Sequence, residues 1–113
     1  MYSVLFVCSA NICRSPMAMG LLRNRVKLEA GEWKIHSAGV WALVDHPVDI
    51  NVQFVLRERG IAELDHSSTQ VTEDLLSDFN LILTMERNHK EALRIAFPKY
   101  RSRIYLLTEM SLP

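Results

Sequence analysis

Cys8 and Arg14 are separated by five residues in VCSANICRSP, residues 7–16, and Ser15 follows the arginine directly. A thiol, a guanidinium and a hydroxyl at this spacing suit capture of a tetrahedral oxyanion. A loop that leaves a strand and enters a helix aims backbone N–H groups at one point, where the helix dipole adds partial positive charge. Arg14 supplies two directional donors that can hold two oxygens of a phosphate at once. The same field favours the thiolate of Cys8, which is the nucleophilic form. Ser15 can donate a hydrogen bond to that sulfur and help it leave later. Asn11 is one of the few residues besides glycine that tolerates the left-handed backbone a tight cradle needs.

A cysteine at a strand end is more often a small buried hydrophobe than a reagent. In this stretch it coincides with the arginine spacing, an apolar run before it, and a proline and helical periodicity after it. That combination favours chemistry. Zinc is the other common use of paired thiols, but Cys8 and Cys13 have no nearby histidine and supply too few ligands. No metal or cofactor is expected. Two cysteines so close in sequence cannot staple distant elements, which argues against a disulfide framework and for a catalytic or redox thiol.

The elements that must hold these residues show as alternating periodicities. Ser3-Val4-Leu5-Phe6-Val7 reads as a strand buried on both faces, with Cys8 at its carboxyl end. From Pro16 the pattern turns helical through Met17, Leu21, Leu22, Val26 and Leu28, with Gly31 at the exit. Residues 33–37 read as a second strand, followed by a loop over 39–47. Val48, Val52, Val55 and Leu56 mark a second helix that Gly60 closes. Residues 72–79 read as a short helix capped by Thr72, 81–85 as a third strand, 89–97 as a helix stopped by Pro98, and 103–107 as a fourth strand. Such alternation implies right-handed crossovers and a parallel sheet covered on both faces, an α/β fold. Ligands of such sheets gather at the carboxyl ends of the strands, where Cys8 lies.

Composition narrows the partners. The 113 residues fit one domain, 1–113, and with 49% hydrophobic and 23% charged residues the chain reads as globular. Zero formal charge argues against a non-specific nucleic-acid binder. No apolar run approaches the ~20 residues of a membrane span, and residues 1–8 lack the charged start of a signal peptide. A cytoplasmic protein with no nucleic-acid or membrane partner is expected.

Residues 7–18, VCSANICRSPMA, are similar to the phosphate loop and first helix of the low-molecular-weight protein tyrosine phosphatases. The main differences are Ala10, where many members have glycine, and Met19, where many have an acid. The resemblance continues through HSAGV (36–40), RERGI (57–61), DHSSTQVTEDL (65–75) and FNLILTMERNH (79–89). It implies a three-layer sandwich around a four-stranded parallel sheet in the order 2-1-3-4. It also implies that Cys8 attacks phosphorus to form a phosphocysteine, while Arg14 and the amides of Ser9, Ala10, Asn11, Ile12 and Cys13 hold the equatorial oxygens. Asn11 would be fixed by a polar web of Ser15, Ser37 and His66. Cys13 matches a position that can form a disulfide with the nucleophile, so reversible peroxide inactivation is expected. Trp41 and the adjacent Leu43 fall where the family lines its aryl pocket. His36, His46 and His89 receive no task.

The resemblance fails at one point. Family members carry an Asp-Pro loop after the fourth strand, whose acid protonates the leaving phenol, and a final helix covering one face of the sheet. The chain ends at Ser111-Leu112-Pro113 with neither. Glu109 lies on the correct edge as a weak substitute; Asp74 and Asp78 precede the third strand, at the wrong end. The reading is therefore of a phosphatase for phosphotyrosine proteins or small aryl phosphates, slow with poor leaving groups because general acid catalysis is worth about 10²–10⁴-fold. Inorganic phosphate, vanadate and other oxyanions should compete, and an uncovered first helix should favour self-association. The alternatives are a non-catalytic phosphate or phosphotyrosine binding module and, more weakly, an arsenate reductase, which needs relay thiols that are absent after Cys13.

Overall fold

The computed structural model describes residues 2–27, 32–42, 44–61 and 66–110. Its elements run β1 (Tyr2–Cys8), α1 (Arg14–Val26), β2 (Trp33–Gly39), α2 (Ile50–Glu58), α3 (Glu73–Ser77), β3 (Leu81–Thr84), α4 (Arg87–Ala96) and β4 (Ile104–Leu106). A 3₁₀ segment, Pro98–Arg103, joins α4 to β4. All strands pair in parallel, in the order β2-β1-β3-β4, as the resemblance implied.

Residues 3–8 of β1 are buried without interruption, because this strand lies inside the sheet and both its faces are covered. Successive side chains of a strand point to opposite faces. Val4 and Phe6 accordingly pack with Met19 and Val26 of α1, together with Ile35 and Leu83. Leu5 and Val7 pack on the other face with Leu76, Phe79, Ile82, Leu93, Tyr100 and Ile104. Full burial of a side chain such as Leu5 contributes roughly 1.5–3 kcal/mol. Val48, Val52 and Leu56 form a third cluster against Met17 and Ile61.

The register sets the site. Cys8 is level with Gly39 of β2, and its neighbour Val7 with Thr84 of β3. The loops that follow these three strands therefore emerge together along one edge.

Several boundaries differ from the sequence reading. α1 begins at Arg14, two residues ahead of Pro16, with Cys13 as an N-cap that makes no side-chain capping bond. Ser15, inside the first turn of α1, bonds the sulfur of Cys8. Val48 is buried but precedes α2, which Asp49 caps by accepting from the Asn51 N–H. Gly60 closes α2 at φ +82°, a conformation that side chains rarely adopt. Thr72 caps α3, its hydroxyl accepting from the Leu75 N–H. The fourth strand is shorter than expected because residues up to Arg103 take the 3₁₀ path. Leu28 and Gly31, read as the end of the first helix, lie outside the described residues. On α1, Leu21 is exposed while Met19 and Val26 are buried.

Candidate active site

A concavity of about 170 Å³ lies between the end of β1 and the start of α1 and is lined by residues 8–14 alone. The first N–H groups of a helix have no intrahelical partner; the first bond of α1 runs from the Met17 N–H to the Cys13 carbonyl. The donors ahead of it have no partner within the helix, and the positive end of the helix dipole lies behind them, an arrangement that suits an anion. Asn11 adopts φ 62°, the left-handed turn that curls the loop.

Hydrogen-bond directions behind the loop follow from which groups can donate. The Thr69 N–H donates to Asn11 Oδ1 at 2.8 Å, which turns Asn11 Nδ2 toward Ser15 Oγ, also 2.8 Å away. Ser15 Oγ thus accepts from Asn11, and its own proton is available to Cys8 Sγ at 2.9 Å. The sulfur of Cys8, a residue only 3% exposed, becomes the acceptor at the end of this chain. His66 Nε2 lies 2.7 Å from the Asn11 carbonyl, which can only accept, so this nitrogen carries its proton. Asn11 and Ser15 are fully buried. Such a connected network fixes a loop that would otherwise be free to flex.

Ser37 does not join this web. Its hydroxyl is buried and has no hydrogen-bond partner among the described residues. The place assigned to Ser37 is corrected accordingly.

Gly39 has a part that the sequence reading did not give it. A Cβ there would fall 2.5 Å from the Ser9 carbonyl oxygen and 3.1 Å from Asn11 Cβ. Only glycine lets β2 pass so close beneath the loop. The same approach allows the Val40 and Trp41 N–H groups to donate to the Cys8 and Ser9 carbonyls, both at 2.9 Å.

On the open side, Arg14 is exposed and its guanidinium donates to Glu86 Oε1 at 2.5 Å. Glu86 follows β3 on the same edge. The hydrogen bond from Arg14, and then its charge, hold the Glu86 carboxyl below the ordinary carboxylate range. Arginine has five N–H donors, so the pair orients the guanidinium without exhausting it. Cys13 is an exposed free thiol on the wall of the concavity, and Cys8 is a buried free thiol. Trp41 is 83% exposed beside the loop. Leu43 lies outside the described residues.

His89 was read as having no task, yet its Nε2 bonds Ser9 Oγ at 2.9 Å across 80 positions of sequence. It is buried, and its Nδ1 has no partner among the described residues. Burial above all holds its pKa below the ordinary 6.5; Glu86 opposes this and Arg14 adds to it. His36 is lowered as well, by burial and then by Arg23 and Lys34. The unfolded chain therefore takes up protons on these imidazoles before the folded one does. Their contribution to stability should be complete above about pH 6.5 and decline as pH falls through the lowered folded values. Urea unfolding at about pH 7.5 and about pH 5.5 checks this: His89→Gln should shrink the loss between them, and an unchanged loss would contradict it.

Glu109 accepts from Lys90 Nζ and from the Leu106 N–H, both at 2.7 Å. Those bonds hold its carboxyl below the ordinary range, which disfavours the protonated form that a general acid needs. Among the described residues no cluster of three His, Cys, Asp or Glu side chains could hold a metal ion. No helix among them is long and apolar enough to cross a membrane.

A strand-loop-helix cradle with a sulfur at its base and an arginine at its mouth defines a class of oxyanion-handling α/β protein. A family model described as low molecular weight phosphotyrosine protein phosphatase matches residues 3–111, and the chain belongs to that family of cysteine-based enzymes. It is 35% identical over 106 residues to a protein-arginine-phosphatase of Bacillus subtilis (strain 168), covering 94% of this chain and 70% of that one. It is 36% identical over 104 residues to the low molecular weight protein-tyrosine-phosphatase Etp of Escherichia coli (strain K12), covering 92% and 68%. Among solved structures, it superimposes with TM-score 0.90 and 34% identity on a YwlE arginine phosphatase whose active-site cysteine is replaced by a phosphorylated serine, covering 95% of this chain and 70% of that one.

Proposed function

We propose that this chain hydrolyses phosphotyrosine and related aryl phosphates through a phosphocysteine at Cys8. The observation that carries the reading is the directed chain from Thr69 through Asn11 and Ser15 to the buried sulfur, with Arg14 across the mouth of the same cradle. The Cys8 thiolate attacks phosphorus in line; the S–P bond forms as the P–O bond to the phenol breaks, and the phenolate takes a proton. Water then attacks phosphorus, the S–P bond breaks, and inorganic phosphate leaves with the thiolate restored. Ser15 stabilises the sulfur as it departs, and Arg14 with the loop amides holds the equatorial oxygens throughout. Trp41 offers the phenol ring a face to stack on. Inorganic phosphate and vanadate compete for the cradle.

The leaving phenol has no good proton donor among the described residues on this edge, since Glu86 and Glu109 are both held as carboxylates. Turnover of aryl phosphates should therefore fall steeply as the phenol pKa rises, by about 10²–10⁴-fold more than an acid-assisted reaction would show. A series of substituted phenyl phosphates measures this, and equal rates across it would contradict the account of the proton. Phosphate affinity without turnover of any aryl phosphate would favour a binding module. Because relatives of both kinds occur, matched phosphotyrosine and phosphoarginine peptides should be run together; faster turnover of phosphoarginine would overturn the substrate assignment.

A further inference from the structure

A second and larger concavity, of about 510 Å³, adjoins the cradle between the Val40–Trp41 segment and α4. Val40, Val71, Leu93 and Phe97 supply apolar walls. Ala92 and Ala96, one helical turn apart on α4, leave the space open, since a longer side chain at either position would enter it. Among the described residues no Asp, Glu, Lys or Arg lines this groove.

The groove is continuous with the cradle. Ser9 lines both concavities, and its hydroxyl is held by His89, itself a lining residue whose buried Nδ1 has no partner among the described residues. The exposed Trp41 also lines the groove. A phosphorylated side chain whose phosphate sits in the cradle brings its own backbone to this shared wall. An extended chain advances about 3.3–3.6 Å per residue, so a side chain one or two positions away falls over the groove.

We propose that this groove is a specificity subsite for an apolar or aromatic side chain flanking the phosphorylated residue of a protein substrate. The proposal rests on the reading that the cradle takes a phosphorylated side chain. An apolar flank gains by burial against Val71, Leu93 and Phe97. A charged flank would be desolvated with no opposite charge to meet it.

The test uses phosphotyrosine peptides that are identical except for a Leu, Phe, Ser or Asp beside the phosphotyrosine. The apolar flanks should be favoured about 10-fold in kcat/KM, the scale set by one well-filled apolar pocket. Ala92→Phe should abolish that preference and leave p-nitrophenyl phosphate turnover unchanged, because Ala92 lines the groove but not the cradle. Ala96→Leu fills the same space from one turn further along, so a folding defect at one position does not obscure the result. No flank preference in the original chain would overturn the proposal, as would a preference that survives both filled variants. Concentration-dependent self-association abolished by Ala92→Phe, without a peptide preference, would also overturn it by assigning the groove to a second copy. Peptide affinities for the Cys8→Ser chain separate this inference from the phosphatase reading. A flank preference in binding with no turnover by the original chain would uphold the groove and sink the reaction.

Discussion

Replacing Cys8 by serine should reduce turnover of aryl phosphates by on the order of 10⁴-fold or more while leaving inorganic phosphate binding nearly unchanged. The two effects separate because the sulfur and the oxyanion donors are different parts of the cradle. A serine hydroxyl at that position would need a base to ionise it, and none is in reach among the described residues. The hydroxyl of Ser15 is turned toward the sulfur as a donor, and the imidazole of His89 is engaged with Ser9 rather than residue 8. The amides of the loop and the guanidinium of Arg14 are untouched by the change. Steady-state kinetics with p-nitrophenyl phosphate and calorimetric titration with inorganic phosphate measure the two quantities side by side. Loss of phosphate affinity together with activity would contradict the assignment of the cradle, since it would mean that the thiol builds the loop rather than reacting within it.

Arg14→Lys should cost about 10²–10³-fold in kcat/KM although the formal charge is kept. Lysine is a point charge on a flexible stem, whereas the guanidinium presents a planar fork that matches two oxygens at once. The partner Glu86 makes the difference larger. In this structure it accepts from one arginine nitrogen and so sets the plane in which the remaining donors face the mouth of the cradle. A lysine would be drawn to the same carboxylate with no second edge to offer. Kinetics of Arg14→Lys alongside Glu86→Gln test this. The glutamine variant keeps an accepting oxygen and should retain most of the activity, whereas wild-type rates for Arg14→Lys would remove the arginine from the transition state.

What could be read from the sequence was local. The apolar run into Cys8, the five-residue interval to Arg14 and the helical spacing after Pro16 all sit within one stretch of chain. Because those signals are short-range, the strand, the cradle and the helix are legible in the sequence itself. Strand order came only through resemblance, because spacing along a chain does not rank parallel strands. Contacts made across the sheet left no local trace. His89 meets Ser9 across 80 positions, and nothing in RNHKE marks that histidine apart from a helical surface residue. Gly39 looked like the start of a loop, and its reason is the distance to the Ser9 carbonyl rather than the turn it occupies. Ser37 shows the opposite error. A hydroxyl that the resemblance placed in the web has no hydrogen-bond partner among the described residues.

The most direct measurement follows the phosphoryl group itself. The chain is mixed with p-nitrophenyl phosphate, unfolded during turnover, digested and mapped by mass spectrometry. The account predicts one phosphoryl group on the peptide bearing Cys8, attached to that sulfur and absent from the Cys8→Ser variant. Turnover with the phosphoryl group on Cys13, Ser9 or His89 instead would contradict it.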